Sequence, residues 1–224
     1  MNNFDYIYDT SPLEVSFPKQ KNQNWKHINV RSLKKFTDDK KKSYKKFRIN
    51  QKAKLDCDLL IENNNLSISN QISSDINIKI ISPKDIKRMS NSIKDKVGKI
   101  AKIEDYFLAQ NTKYFKQLIV IEVYKNTSEC PVLNINIKSV QKNCIVPRFF
   151  IHINRGLNAV INLNLNNQDS FLNGAFEIQL ESDSKVDFFC HSEGNKSLEI
   201  MNYWVDINKQ AKLSATFTSL GSEQ

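Results

Sequence analysis

Glycine and cysteine are scarce in this chain, and both scarcities exclude classes of chemistry. Its 224 residues include 5 Gly and no GxxxxGK[ST] segment, so a glycine-rich phosphate loop is excluded and a nucleotide site is not expected. No two of the 4 Cys have the C-x-x-C spacing of a compact zinc site; they are Cys57, Cys130, Cys144 and Cys190. Because no secretory signal accompanies them, we expect reduced thiols rather than a disulfide framework.

Long apolar runs and a leader sequence are also missing. No run of about 18 apolar residues occurs, and the mean hydropathy of −0.50 is too polar for a membrane protein. The first 15 residues, MNNFDYIYDTSPLEV, contain neither a basic start nor an apolar stretch, so no secretory signal is expected. Hydrophobic residues make up 40% of the chain, which makes a packed core feasible. We therefore expect a cytoplasmic protein without a membrane partner.

Positive charge is concentrated in one segment. The formal net charge is +9, and residues 1–55 carry 14 Lys+Arg against 5 Asp+Glu, whereas the remainder carries 19 of each. The densest part is residues 34–48, KKFTDDKKKSYKKFR. Charge runs of this kind are usually solvated helices or connections. Tyr44 and Phe47 alone do not form a base-stacking platform, so nucleic-acid binding through residues 19–54 is the alternative function.

Hydrophobic periodicity changes from helical to strand-like near Leu118. A small β region is predicted first, with strands on either side of a turn at residues 63–65 and another near residues 76–80. Pro83, with Ser82 as N-cap, then opens a stretch with apolar residues at helical spacing. Two helices, or one helix broken near Gly98, are predicted between Pro83 and Phe115.

From Leu118 onward, apolar residues alternate with polar ones and turn-like clusters separate the sets. Strands are predicted around residues 133–137, 149–153, 159–165, 176–180, 186–190, 198–200, 203–207 and 213–217. This spacing fits a sandwich, a barrel or a β-helix, and periodicity does not choose among the three. Alternation does indicate that one face of each strand is buried and the other wet.

Several segments, taken in order, resemble proteins of the SufD family. The segment NWKHINVRSLKKF resembles the family's tryptophan-centred N-terminal motif, through Trp25, Asn29, Arg31 and Phe36. The segment EDYFLAQNTKYFKQLIVIEV resembles its helix-to-strand entry, through Phe107, Asn111 and Phe115. Pro131 stands where the family has a proline before a core strand, Arg148 lies in a segment like its arginine-bearing strand, and Asn173 matches the following pair of strands.

The resemblance spans about residues 25–221 and implies both a fold and a role. The fold would be mainly β, a right-handed parallel β-helix over residues 117–224, preceded by a small α/β N-terminal region over residues 1–116. The role would be a non-catalytic scaffold subunit of the SUF iron–sulfur cluster assembly complex (SufBCD), with a SufB-like subunit and a SufC-like ATPase as partners. The chain alone would bind no cofactor, since the complex would handle the cluster.

Family members are considerably longer, so the resemblance also implies a C-terminal truncation. The ATPase interface and a cluster-related histidine would lie in the missing part. The last coil would then be uncapped, and we expect its edge to pair with a partner or with another copy.

The chemistry-bearing residues present do not predict an enzyme. Cys190 continues an inward apolar set, so we expect a buried thiol beside an outward His191 rather than a metal site. The same alternation places His152 on a wet face. No Ser-His-Asp order and no paired carboxylates stand out, and His27 has no assigned role. Trp25 and Trp204 are interface anchors or, more commonly for large aromatics, core residues.

Overall fold

Two β-sheets run side by side through most of the described chain. The computed structural model describes residues 15–19, 21, 30, 33–34, 45–89, 91–101, 105–127, 130–140 and 143–221. Its early elements are β1 (Arg48–Ala53), β2 (Leu59–Glu62), β3 (Asn65–Ser69), β4 (Ile76–Ile81), a 3₁₀ helix (Pro83–Arg88), α1 (Asn91–Lys94) and α2 (Tyr106–Tyr114). The later ones are β5 (Leu118–Val123), β6 (Val132–Ser139), β7 (Cys144–Ile145), β8 (Arg148–Ile153), β9 (Asn158–Gln168), β10 (Phe171–Leu180), β11 (Lys185–Asn195), β12 (Leu198–Ile207) and β13 (Lys212–Leu220).

From β5 onward the chain winds as a parallel β-solenoid. The first sheet has the strand order β1-β3-β2-β6-β9-β11-β13, and the second has β12-β10-β8-β5-β4 with β7 beside β10. Asn158 pairs with Lys185, and Lys185 pairs with Lys212, so one turn takes 27 residues there. About four turns cover residues 118–220. The β-helix is thus confirmed over the sandwich and the barrel, while its right-handedness stays a prediction.

Alternation along each strand builds the interior of the solenoid. In β9 and β11 every second residue is buried, and these residues stack on their register partners in the neighbouring turns. One such stack contains Leu133, Ile161, Phe188 and Ala215. Each turn therefore buries its apolar face partly against the next, at about 25 cal/mol per Å² of apolar surface removed from water.

The N-terminal strands extend the same two sheets. The strands predicted on either side of residues 63–65 are β2 and β3, which pair antiparallel as a hairpin, and β2 pairs in parallel with β6. β4 pairs antiparallel with β5 at the edge of the second sheet. Their buried residues, including Leu59, Leu66 and Ile76, belong to the same apolar cluster as the solenoid interior. The predicted boundary between residues 116 and 117 falls between α2 and β5.

The helical segment covers the outer face of the second sheet. The predicted helical stretch is confirmed but consists of three short helices, with Gly98 in the left-handed region at φ +77° between the last two. Under this cover every residue of β8 and β10 is buried. His152 is only 5% exposed. The prediction of a wet position for His152 is therefore wrong, because alternation within β8 does not reveal what packs on its outer side.

Candidate functional site

A buried ion pair joins two turns of the solenoid beneath the helices. Arg148 on β8 and Glu177 on β10 project from the outer face, and Arg148 Nη2 donates to Glu177 Oε1 at 2.5 Å with both side chains 0% exposed. The second oxygen of Glu177 accepts from the backbone N–H of Gly98 at 2.9 Å and of Ala101 at 3.3 Å. The carboxylate thus fixes the loop before α2 to the sheet.

Helix α2 is attached to the same network. Arg148 Nη1 donates to Thr112 Oγ1 at 3.2 Å, and Asn111 Nδ2 donates to the carbonyls of Pro147 and Asn173 at 3.0 and 2.7 Å. Asn173 Nδ2 in turn donates to the carbonyl of Phe107 at 2.8 Å. Because the network is buried, it positions the helix against the solenoid and offers no surface to a ligand or partner.

The structure therefore brings together four residues that carry the family resemblance: Phe107, Asn111, Arg148 and Asn173. Two others are placed separately. Phe115 is fully buried as the C-cap of α2, and Pro131 is buried directly before β6, where its carbonyl accepts from Val160 N at 3.0 Å. The tryptophan-centred motif lies outside the described residues, namely Trp25, His27, Asn29, Arg31 and Phe36.

A second polar cluster surrounds His152. Its Nε2 lies 3.1 Å from Glu181 Oε1 and its Nδ1 lies 3.8 Å from Glu122 Oε1. Glu181 also pairs with Lys96 and accepts from Asn208 Nδ2 at 2.9 Å. Burial alone would raise the pKa of Glu181, but the hydrogen bonds from Lys96 and His152 outweigh it and lower that pKa. This cluster was not predicted, although His152, Glu181 and Asn208 follow one another at spacings of about one solenoid turn.

The Cys190–His191 pair is arranged as predicted. Cys190 is buried, with Sγ 3.4 Å from Tyr203 Oη, and burial raises the pKa of its thiol, which favours the protonated form over a metal-binding thiolate. His191 points outward, where Nδ1 lies 2.9 Å from Thr218 Oγ1 and Nε2 lies 3.1 Å from Glu193 Oε1. Across the described ranges, no three His, Cys, Asp or Glu side chains are grouped as metal ligands.

The last described turn exposes apolar residues along an open edge, formed by β12 and β13. β12 ends the second sheet and β13 ends the first. Phe217 points into the solenoid, 5.2 Å from the ring of Tyr203, yet its side chain is 56% exposed. Leu220 and Ile207 are also exposed. Trp204 is half-buried on the other face of β12, against Ala101, Leu108 and Ala175.

Two carboxylates lie on β12, Glu199 near its start and the exposed Asp206 near its end. Glu199 on β12 faces Ser192, whose hydroxyl lies 3.0 Å from both carboxylate oxygens. Burial raises the pKa of Glu199, and the hydrogen bond from Ser192 offsets this only in part. The edge therefore combines the exposed apolar side chains of Ile207, Phe217 and Leu220 with one exposed carboxylate, that of Asp206.

No family model, curated protein or solved structure matches the chain. Within the part of the chain that is described, no helix is long and apolar enough to cross a membrane.

Proposed function

We propose that this chain is a non-catalytic scaffold subunit of a SUF-type iron–sulfur cluster assembly complex, acting with a SufB-like subunit and a SufC-like ATPase. The observation that carries the proposal is the meeting of Phe107, Asn111, Arg148 and Asn173 in one buried network, because the resemblance rests on those residues. The last described strands of the two sheets add support, because they present exposed apolar residues. A cytoplasmic location belongs to the same proposal.

An open solenoid edge is a physically reasonable assembly surface. The outer sides of β12 and β13 present backbone N–H and C=O groups to which another strand can add. Fully burying a phenylalanine side chain is worth about 1.5–3 kcal/mol, and Phe217 is already half covered, so it would contribute roughly half of that. Burial of Leu220 and Ile207 would add to this favourable free energy of association. A partner with its own solenoid edge would both pair with the backbone of these strands and cover their apolar side chains.

The division of labour in this proposal follows from the side chains available. The cluster would be built by the complex, with ATP hydrolysis in the SufC-like subunit, while this chain supplies a rigid frame. Its own buried ion pair and the His152 cluster are occupied in holding the helices against the sheet.

Co-purification tests the proposal. The tagged chain is co-expressed with the SufB-like and SufC-like subunits of the same genome, and the proposal predicts that both are retained on the tag. Phe217→Lys should release the SufB-like subunit because it places a charge on the apolar edge. Val132→Lys is the matched control, since Val132 is also exposed but lies on the outer face of β6. Absence of both subunits from the wild-type eluate would contradict the proposal.

Nucleic-acid binding through residues 19–54 is the second candidate, and one observation favours it. Lys45, Lys46, Arg48 and Lys52 are all exposed at or beside β1, the edge strand of the first sheet. Fluorescence anisotropy with a labelled 20-nucleotide RNA tests it. Affinity that falls steeply with salt and is lost when these four residues are replaced by Ser would favour this candidate.

A further inference from the structure

The outer face of the first sheet carries two central rows of side chains without a carboxylate, lysine or arginine. Strand register places one row across β6, β9, β11 and β13 as Asn134, Asn162, Phe189 and Thr216. The neighbouring row contains Asn136, Asn164, His191 and Thr218. Asp58 continues the first row beyond Asn134 and accepts from the side-chain amide of Asn134 at 3.3 Å. The flanking rows contain Asp187 on one side and Lys138 and Glu193 on the other.

The amides of the two central rows are held in place by one another. Asn162 Nδ2 donates to Asn134 Oδ1 at 2.9 Å, and Asn164 Nδ2 donates to Asn136 Oδ1 at 3.0 Å. The side-chain oxygens of Asn162 and Asn164 accept no hydrogen bond from the described residues. Two oriented acceptors are therefore available to a ligand at no cost in side-chain ordering.

An aromatic ring interrupts the polar face at the centre of one row. Phe189 is 46% exposed, between Asn162 on one strand and Thr216 on the next. Together with His191 and Thr218 these residues line a shallow depression of about 270 Å³. Phe189 therefore places a half-exposed aromatic ring among side-chain amides and hydroxyls.

We propose that this depression binds an uncharged carbohydrate chain. The negative face of an aromatic ring attracts the partly positive C–H groups on the flat side of a sugar ring. Amide and hydroxyl groups both donate and accept, which matches the hydroxyls of a sugar. Four strands spaced ~4.8 Å apart give rows ~14 Å long, so more than one sugar unit can lie along them.

The composition of the rows also determines which ligands fit poorly. Phosphate-bearing chains are disfavoured because neither central row contains a lysine or arginine. Glycoside hydrolysis is disfavoured because it uses two carboxyl groups flanking the scissile bond, and the described residues that line the depression include no carboxylate. The site is therefore a binding site and not a catalytic one. The inference does not depend on the assembly proposal, since it concerns a different face of the solenoid.

Isothermal titration calorimetry with defined sugars tests the inference. The probes are cellohexaose, xylohexaose, laminarihexaose and maltohexaose, with hexagalacturonate as a charged control. At least one neutral hexaose should bind. Phe189→Ala should weaken that binding at least tenfold, and Phe189→Tyr should retain it because the ring remains. Val132→Ala is the matched control, since Val132 is an exposed apolar residue on the same sheet face but outside the central rows.

Asn164→Ala provides a second variant that does not alter the aromatic ring. It should weaken binding of the same hexaose while leaving the circular dichroism spectrum unchanged. No heat from any neutral hexaose, undiminished binding by Phe189→Ala, or binding of hexagalacturonate alone would each overturn the inference.

Discussion

Breaking the Arg148–Glu177 pair should destabilise the fold more than any surface change. Arg148→Met leaves Glu177 as a buried carboxylate with two backbone donors, Gly98 N and Ala101 N. Both side chains are fully buried, so removal of one partner should lower the free energy of unfolding by about 3–5 kcal/mol. Against a typical total of about 5–15 kcal/mol this is a large fraction.

Replacing both partners should cost less than the sum of the single changes. In Arg148→Met/Glu177→Leu no charge remains buried, although the N–H groups of Gly98 and Ala101 lose their acceptor. Unsatisfied buried donors cost about 1–3 kcal/mol each. We therefore expect the double variant to lie near either single variant, which gives a coupling energy of at least about 2 kcal/mol.

Urea unfolding followed by circular dichroism measures these differences. Arg155→Met is the control, since Arg155 also reaches an acidic residue in the next turn, Asp183 at 3.4 Å, but the side chains are 79% and 41% exposed. Its cost should stay below about 1 kcal/mol. Single variants at Arg148 and Glu177 that each cost under about 1 kcal/mol, or a double variant equal to their sum, would refute the reasoning.

Three further predictions concern the edge, the buried carboxyl and the thiols. Phe217→Lys should reduce self-association in sedimentation velocity more than a charge change at Lys45 does; equal effects would count against the open edge. Glu199→Gln should raise stability at pH 7 but not below about pH 4. Folding raises the pKa of Glu199, so wild-type stability falls as pH rises from the unfolded-state pKa to the folded-state pKa of this carboxyl. A variant less stable than wild type at pH 7 would contradict this. After anaerobic reconstitution the chain alone should hold less than one cluster by iron counting, because its thiols lie on different elements; a stable cluster lost on Cys190→Ala would show the prediction wrong.

Alternation predicted the strands and their inward faces but not how they stack. The inward position of Cys190 is confirmed, as is the change to strands at Leu118. The sets at residues 198–200 and 203–207 form one strand, β12, in which Leu198 and Ile200 pack on the outer face whereas Tyr203 and Val205 face the interior. The solenoid forms because residues 27 apart pair in neighbouring strands. The two-residue alternation within each strand carries no information about this long-range pairing.

Features that depend on contacts with residues far away in the sequence could not be predicted from the local hydrophobic pattern. β1 was missed because Arg48, Asn50 and Lys52 provide no apolar face, and the strand is held by its pairing with β3. His152 is buried beside Glu122 and Glu181, and Lys96, which pairs with Glu181, comes from the helical segment far earlier in the sequence. The contact between Phe107 and Asn173 likewise joins α2 to β10, so a resemblance could name these residues but their spacing could not place them together.

Hydrogen–deuterium exchange at the open edge tests the central claim most directly. The chain is exchanged alone and after addition of the purified SufB-like subunit, and the amides of β13 (Lys212–Leu220) are compared with those of β1. We expect slower exchange in β13 on mixing and no change in β1, because a partner strand would pair with the exposed edge of β13. Unchanged exchange in β13 at a saturating partner concentration would contradict the claim that this edge is an assembly surface.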